Sequence, residues 1–238
     1  MMYIGGLQKL TLIDYPSKVA ATVFLCGCDF RCPWCYNSEL VLFHPVRKNF
    51  SNGARIPKKT LFSFLKERKG LLEGVCLTGG EPTINKDLPE FIRKIKKLGF
   101  LVKLDTNGSN PEMLKKLISG KLIDYAAMDV KAPLKSQKYN KAAGVKVNLN
   151  KIKKSIEIIK NSGIDYEFRT TAMPQIHSKE DIIEIAKAIS PAKKYFLQNF
   201  RPEKTLNPLY EKCKPFNQKK LELIQKECNK YAPTKLRS

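Results

Sequence analysis

Three cysteines near the start of the chain have a spacing that suits metal chemistry. Cys28, Cys32 and Cys35 lie in the segment CGCDFRCPWCYN at the spacing C-x3-C-x2-C. Thiolates this close can bind one iron–sulfur cluster, and a [4Fe–4S] cluster is usually held by four cysteines. A loop with three cysteines leaves one iron open to a substrate or cofactor. The spacing therefore favours a cluster that takes part in a reaction.

Other uses of these cysteines stay open on the sequence alone. A zinc site usually takes four ligands from paired Cys or His knuckles, and a disulfide framework is typical of short secreted chains. Cys26 is a candidate fourth ligand, but its position two residues before Cys28 is awkward at the end of a strand. The other cysteines and the histidines have no ligand spacing: Cys76, Cys213, Cys228, His44 and His177.

Length and composition predict one domain over residues 1–238, since 42% of the residues are apolar and no Pro/Gly/Ser-rich linker divides the chain. No apolar run approaches about 18 residues, so no membrane span is expected. The first residues lack the pattern of a signal peptide. Seven cysteines, an odd number, fit a reducing compartment, and we expect a cytoplasmic protein.

The charge is strongly positive, with 44 Lys and Arg against 22 Asp and Glu, a net charge of +22. The segment 131–160 is especially basic, because its only acidic residue is Glu157. Such a segment can bind an acidic protein or a nucleic acid, or it can be a solvated surface. The lysines are spread over predicted helices without an Arg/aromatic platform. We therefore expect no nucleic-acid partner and leave an acidic protein partner open.

Short β-rich runs alternate with amphipathic helices, which predicts a parallel α/β sheet. Helical periodicity covers Leu88–Leu98, Ile152–Ile159 and Ile182–Ile189, and a last helix is predicted over about 217–230. Ser178 with Asp181 is typical of a helix N-cap. The six predicted strands, with the barrel core at about 19–202, are Val19–Leu25, Gly74–Leu77, Phe100–Asp105, Tyr125–Val130, Asp165–Thr171 and Lys194–Phe200.

Two stretches, Met1–Tyr15 and Leu40–Ile56, are predicted to be irregular, and the second is expected to pack near the cysteine loop 26–36. Polar residues and glycines follow each predicted strand. In a parallel α/β barrel the active site forms at the carboxyl ends of the strands. We therefore expect the strand ends to carry the site.

Several of these strand-end residues could bind a ligand. Gly79 and Gly80 let a ligand approach the backbone closely, and Glu81 offers a carboxylate to an ammonium group. Asp105 and Asp129 follow hydrophobic runs and suit a cation or an amine, although buried carboxylates also cap loops. These glycines and acids together predict recognition of a positively charged group of the ligand.

Other strand ends suit a negative group and a sugar. Lys131 and Arg169 could pair with a ligand carboxylate, which Arg holds through two hydrogen bonds, or could neutralise the nearby aspartates. Gln198 could bond to a ribose hydroxyl or to its own loop. Trp34, the only tryptophan, could cover the cluster or an adenine, or could belong to the core. Together the strand ends predict an amino acid joined to a nucleoside.

These residues resemble those of the radical S-adenosylmethionine (SAM) superfamily. The cysteine loop with an aromatic residue before its last cysteine, and GGEP at Gly79–Pro82, resemble that superfamily's two main motifs. More narrowly, the chain resembles activating enzymes of glycyl radical enzymes, in particular the short branch that activates anaerobic ribonucleoside-triphosphate reductase. The matching segments run from Gly5 to Pro202 and include GGLQKLTLIDYPSK, LTGGEPT, LDTNG, MDVKAP and FLQNFRP.

The resemblance implies a partial (βα)6 barrel in which the three cysteines hold a [4Fe–4S] cluster whose fourth iron binds SAM. It implies a monovalent-cation site formed by Asp105 and the carbonyl groups of Thr106 and Met128. The residues that would line or approach the SAM pocket are Trp34, Gly79, Gly80, Glu81, Asp105, Asn107, Asp129, Lys131, Arg169 and Gln198.

The implied reaction is the one-electron reductive cleavage of SAM to methionine and a 5′-deoxyadenosyl radical, which abstracts a hydrogen atom from a glycine Cα of a partner enzyme. The partner would be a glycyl radical enzyme, and a flavodoxin or ferredoxin would supply the electron. Tyr36 and Ser17 depart from the residues that many relatives have there, His and Gly. Cys26 is expected not to ligate the cluster.

Two other functions are weighed against this one. A radical SAM enzyme could act on a small molecule or a peptide, although no additional pocket residues are evident in the sequence. A non-catalytic iron–sulfur protein that binds nucleic acid would account for the net charge of +22, but not for GGEP and the other strand ends.

Overall fold

A computed structural model of the chain describes residues 2–41 and 55–237. The chain forms two compact units, and both are discontinuous in sequence. The first unit contains residues 1–29, 37–106 and 112–126, and the second contains 30–36, 107–111 and 127–238. Within the described ranges, no helix is long and apolar enough to cross a membrane.

The first unit is built on four neighbouring strands. β2 pairs with β1 in antiparallel fashion, and β2–β3 and β3–β4 pair in parallel with Leu25 opposite Gly79. The strand cores are apolar and buried, because both faces of the parallel strands are covered. The elements are β1 (Ile4–Thr11), β2 (Ala20–Leu25), α1 (Ser38–Val41), α2 (Lys58–Glu67), β3 (Gly74–Gly79), α3 (Leu88–Lys97), β4 (Leu101–Thr106) and α4 (Pro111–Ser119).

Two elements have residues in both units: α4, whose first residue Pro111 belongs to the second unit, and the strand β5 (Tyr125–Asp129). In the second unit β6–β7 and β7–β8 pair in parallel, so that Gln198 lies opposite both Thr171 and Arg237. The elements of this unit are α5 (Ser136–Ala143), α6 (Leu149–Lys160), β6 (Asp165–Ala172), α7 (Lys179–Ile189), β7 (Tyr195–Asn199), α8 (Gln218–Cys228) and β8 (Thr234–Arg237).

The six predicted strands are confirmed as β2 to β7, each with ends within two residues of the prediction. The capping box of α7 is confirmed as well, because Ser178 and Asp181 bond to each other's backbone N–H groups. The prediction that Met1–Tyr15 is irregular is wrong, since β1 lies there. Most of the predicted loop Leu40–Ile56 lies outside the described residues.

Candidate active site

The glycine turn after β3 is held against the start of the cysteine loop. The N–H of Gly80 donates to the carbonyl of Leu25, and the N–H of Glu81 donates to the carbonyl of Gly27, both at 2.8 Å. A Cβ atom at Gly80 would lie 1.9 Å from the Gly27 oxygen, so only glycine fits there. Gly79 has φ +114°, a conformation that L side chains rarely adopt. The backbone therefore requires both glycines.

Glu81 has a structural role that the sequence did not reveal. Its side chain is buried, and Oε1 accepts hydrogen bonds from the N–H of Thr83 at 3.1 Å, from the Thr83 hydroxyl and from the Thr106 hydroxyl at 2.8 Å. These bonds tie the 3₁₀ helix Pro82–Ile84 to the end of β4. The predicted contact with a ligand ammonium stays a prediction.

Asp105, the acid predicted to bind a cation, forms an ion pair with Lys103. The Lys103 side chain is only 2% exposed and belongs to the same strand. Sequence reasoning did not single out Lys103, although residues two apart on a strand share a face. A charged residue at that spacing from Asp105 was the available signal.

In the second unit, Asp129 lies between two cations. The Arg169 Nε donates to Asp129 Oδ1 at 3.0 Å, and the Lys131 Nζ donates to Oδ2 at 3.1 Å. Burial opposes ionisation of Asp129, but the charges of Arg169 and Lys131 outweigh it and hold the pKa of this carboxyl well below its usual range. Burial also opposes the charge of Lys131, and Asp129 outweighs it, so the pKa of Lys131 is raised. All three groups are charged at neutral pH and leave one net positive charge.

Cys32 and Cys35 are neighbours in the second unit, where the Cys35 N–H donates to the Cys32 carbonyl at 3.0 Å. Burial raises the pKa of the Cys32 thiol to about 11, and the charge of Lys131 acts against this rise. Three further backbone bonds hold this half of the loop: Arg31 N–H to Ala143 C=O (2.8 Å), Asn207 N–H to Pro33 C=O (2.9 Å) and Leu206 N–H to Cys35 C=O (3.0 Å).

Trp34 packs with its ring centroid 6.0 Å from that of His177, at an interplanar angle of 75°. The His177 Nε2 lies 2.7 Å from the Lys131 carbonyl, and the Met173 N–H donates to Nδ1 at 3.2 Å. These partners assign the neutral ring with its proton on Nε2. Burial lowers the pKa of His177, against the Lys131 carbonyl and the charge of Asp181, which raise it. His177 thus holds Trp34 and Lys131, a role that the sequence did not predict.

The other predicted residues have ordinary local contacts. Asn107 accepts a hydrogen bond from the Ser109 N–H at 2.9 Å, and Met128 is fully buried. Gln198 is partly exposed in β7. Cys26 is buried, and a Cβ atom on Gly5 would lie 2.8 Å from its sulfur. The expectation that Cys26 is not a ligand stays a prediction.

The basic segment is partly neutralised within its own unit. Its lysines form ion pairs that include Lys131 with Asp129, Lys135 with Glu184, Lys138 with Asp181 and Lys160 with Glu157. The pairs of Lys135 and Lys138 lie at the surface, where such pairs contribute little to stability, but all of these pairs lower the local charge. The segment is therefore less basic than its composition indicates.

The cysteines fit an iron–sulfur cluster by donor chemistry, because thiolates are its preferred ligands and the Lys131 charge favours the thiolate of Cys32. Among residues 2–41 and 55–237, no three Cys, His, Asp or Glu side chains are already gathered as a metal site. The ligand set Cys28, Cys32 and Cys35 therefore stays a prediction.

The sequence model of the radical SAM superfamily matches residues 22–195, and the chain belongs to this superfamily. Its fold is accordingly the α/β radical SAM fold, as predicted, and its cofactors are those that the family uses, a [4Fe–4S] cluster and SAM. The crystal structure of Streptococcus suis SuiB bound to S-adenosylmethionine has the same fold, with a TM-score of 0.66 and 16% identity over 89% of this chain and 48% of that one.

Two relatives bear on the activity. A protein of Methanocaldococcus jannaschii, named provisionally as a glycyl-radical enzyme activating enzyme, is 35% identical over 233 residues, 96% of this chain and 92% of that relative. The 7-carboxy-7-deazaguanine synthase of Thermoplasma acidophilum is 33% identical over 107 residues, 44% of each protein. Family membership favours an enzyme over a non-catalytic iron–sulfur protein.

Proposed function

We propose that this chain is a radical SAM activase that generates a glycyl radical on a partner enzyme. The observation that carries this proposal is the 35% identity, over 96% of this chain, to a relative provisionally named for that activity. We further propose that the partner is an anaerobic ribonucleoside-triphosphate reductase, on the segments quoted above, and that a flavodoxin or ferredoxin supplies the electron.

When bound, the cluster and SAM supply a one-electron cleavage that makes a hydrogen-abstracting radical, and the protein supplies binding and orientation. In the second unit, Asp129 is already held by Lys131 and Arg169. Their one net positive charge suits the carboxylate of a ligand, so we assign carboxylate recognition to the two cations. Asp129 keeps them in place, since it accepts from both.

The activase role is tested by anaerobic EPR on the reconstituted, reduced protein mixed with SAM and the host's anaerobic ribonucleotide reductase. We expect a glycyl-radical doublet that requires SAM. A cluster signal that changes on SAM addition, without a doublet on this partner, would refute the partner assignment while leaving SAM chemistry intact. A doublet on another glycyl radical enzyme would then show that the proposed reaction is right and the proposed partner is wrong.

Carboxylate recognition is tested with Lys131→Ala, for which we expect the cluster to be kept and SAM to bind about 10- to 150-fold more weakly, the value of a charge-assisted hydrogen bond. Lys135→Ala is the matched control, because Lys135 is 60% exposed and pairs with Glu184 at the surface. Equilibrium binding of SAM to both variants is the measurement. Equal affinity in the two variants would contradict the assignment.

The second candidate is a radical SAM enzyme that acts on a small molecule, and the partial similarity to the deazaguanine synthase favours it. It predicts that 5′-deoxyadenosine accumulates with a small substrate in the absence of any partner protein. The activase predicts product formation that is stoichiometric with the partner's glycyl radical. Quantifying 5′-deoxyadenosine by mass spectrometry with and without the partner distinguishes the two.

A further inference from the structure

An ion pair buried in the first unit has no role in the function proposed above. Lys103 and Asp105 project from the same face of β4, and their side chains are 2% and 14% exposed. The Cys76 sulfur lies 3.8 Å from both the Lys103 Nζ and the Asp105 Oδ1, and the Tyr125 ring centroid lies 5.9 Å from the same Nζ. The Lys103 ammonium is thus surrounded by a carboxylate, a sulfur and an aromatic face.

Such a pair is a poor source of stability. Removing two charges from water costs several kcal/mol per ion, and apolar residues of similar volume often replace a buried pair without loss. Losing one partner, by contrast, leaves an uncompensated buried charge. The arrangement therefore keeps the Asp105 carboxylate ionised inside the fold by giving it a cation that cannot dissociate.

We propose that the Lys103 ammonium is the permanent internal cation of Asp105, so that this chain binds no monovalent metal ion at that carboxylate. This replaces the expected site in which Asp105 and the carbonyls of Thr106 and Met128 hold such an ion. An ammonium carries the same single charge as K⁺ and is compact and strongly hydrated when exposed. Because it is tethered two residues away on the same strand, it competes with any free cation. The inference does not depend on which substrate the enzyme uses.

The first test needs no variant. The reconstituted protein with SAM is titrated with thallium(I), a spectroscopic substitute for K⁺, and observed by thallium NMR, while thermal unfolding is compared in K⁺ and in tetramethylammonium at constant ionic strength. We expect no saturable bound thallium signal that depends on Asp105 and the same Tm in both salts. A saturable signal in the wild-type protein that disappears in Asp105→Asn would overturn the proposal.

The second test removes the internal cation. Lys103→Ser removes the internal cation and opens space beside Asp105, so we expect K⁺ to bind and stabilise this variant. K⁺ at ten times its dissociation constant raises the Tm of a chain of this size by roughly 3–6 °C. Lys96→Ser is the matched control, because the Lys96–Asp124 pair of the same unit is 28% exposed on both sides and water can solvate the acid that remains. A Tm that responds to K⁺ equally in the two variants would contradict the proposal.

If Lys103→Ser does not fold, the neutral pair Lys103→Met with Asp105→Asn replaces it. Similar volume without charge should fold and bind no thallium. The wild-type titration decides the proposal in either case. None of these measurements requires a glycyl radical, so a negative EPR result and a negative thallium result are independent.

Discussion

His177 gives the sharpest test of how the second unit holds its predicted ligand residues. The ring is 1% exposed, and both nitrogens are used: Nε2 bonds to the Lys131 carbonyl and Nδ1 accepts from the Met173 N–H. A proton added to Nδ1 would face the N–H group that now donates to it. Protonation therefore has to break this bond and place a charge in a buried site beside Trp34.

The sign of the pH effect follows from the lowered pKa of His177. The unfolded chain takes up this proton near the ordinary pKa of about 6.5, and the folded chain takes it up only at lower pH. The contribution of His177 is therefore complete above about pH 6.5 and is lost as the pH falls from there toward the folded pKa. The loss in unfolding free energy is at most about 1.4 kcal/mol per pH unit for one proton. It lowers Tm by roughly 3–6 °C per pH unit at this chain length.

The assay is thermal unfolding of the cluster-free protein between pH 5 and 7.5. The perturbation is His177→Gln, which can still donate to the Lys131 carbonyl and accept from Met173 but does not titrate. We expect this variant to lose most of the pH dependence below pH 6.5. His44→Gln is the control, because the chain has only two histidines. The reasoning fails if His177→Gln keeps the wild-type slope, or if His44→Gln removes it.

Three further predictions concern the cysteines, the carboxylate of Glu81 and the glycine turn. Cys26→Ala should keep most of the cluster iron, measured on anaerobically purified protein. Ala at any one of the predicted ligands Cys28, Cys32 and Cys35 should abolish the cluster. Loss of iron in Cys26→Ala would refute the ligand assignment. Glu81→Gln should unfold like wild type, since an amide oxygen can still accept from Thr83 and Thr106, whereas Glu81→Ala should lose about 1–3 kcal/mol in urea unfolding. SAM binding that survives Glu81→Gln unchanged would contradict a contact between this carboxylate and the ligand ammonium. Gly80→Ala should destabilise the fold by more than Gly70→Ala, whose added methyl meets nothing within 4 Å and bears only the strain of a φ of +83°. A urea midpoint for Gly80→Ala equal to or above that of Gly70→Ala would refute the steric argument.

The regular elements of the fold were largely predictable because their pattern is local. The predicted parallel strands are buried apolar runs bounded by polar or glycine residues, and α3 and α7 show the helical stripe that a core-facing helix requires. β1 was missed because Gly5 and Gly6 weaken its strand signal and its register shifts twice along β2. β8 was missed because a four-residue strand with the sequence TKLR carries too little apolar pattern.

The candidate site was predictable only as far as residue type and position reveal it. The glycine turn was singled out for the close approach of a ligand, whereas the group that lies close to Gly80 in the structure is the Gly27 carbonyl of the chain itself. The ligand contact stays a prediction. The roles of His177 and of the Glu81 carboxylate depend on contacts over long sequence separations: His177 bonds to Lys131, and Glu81 to Thr106. No local pattern encodes such partners. Their discovery required the tertiary packing of each unit.

Two of the three acids predicted to bind a ligand, Asp105 and Asp129, are already paired with a lysine two residues away. Asp105 pairs with Lys103 and Asp129 with Lys131, in the segments KLD and DVK. Because the partner is on the same stretch of chain, each pair forms with little loss of chain entropy and its charge cannot diffuse away. A carboxylate neutralised in this way attracts a free cation weakly. Electrostatic recognition of a charged ligand therefore depends on the groups around each aspartate. For Asp129 those groups are Lys131 and Arg169, to whose net positive charge we assigned recognition of a ligand carboxylate. For Asp105 we proposed that the lysine itself takes the place of an ion. The same spacing thus predicts opposite results for two measurements: SAM affinity that falls when Lys131 is removed, and K⁺ affinity that appears when Lys103 is removed.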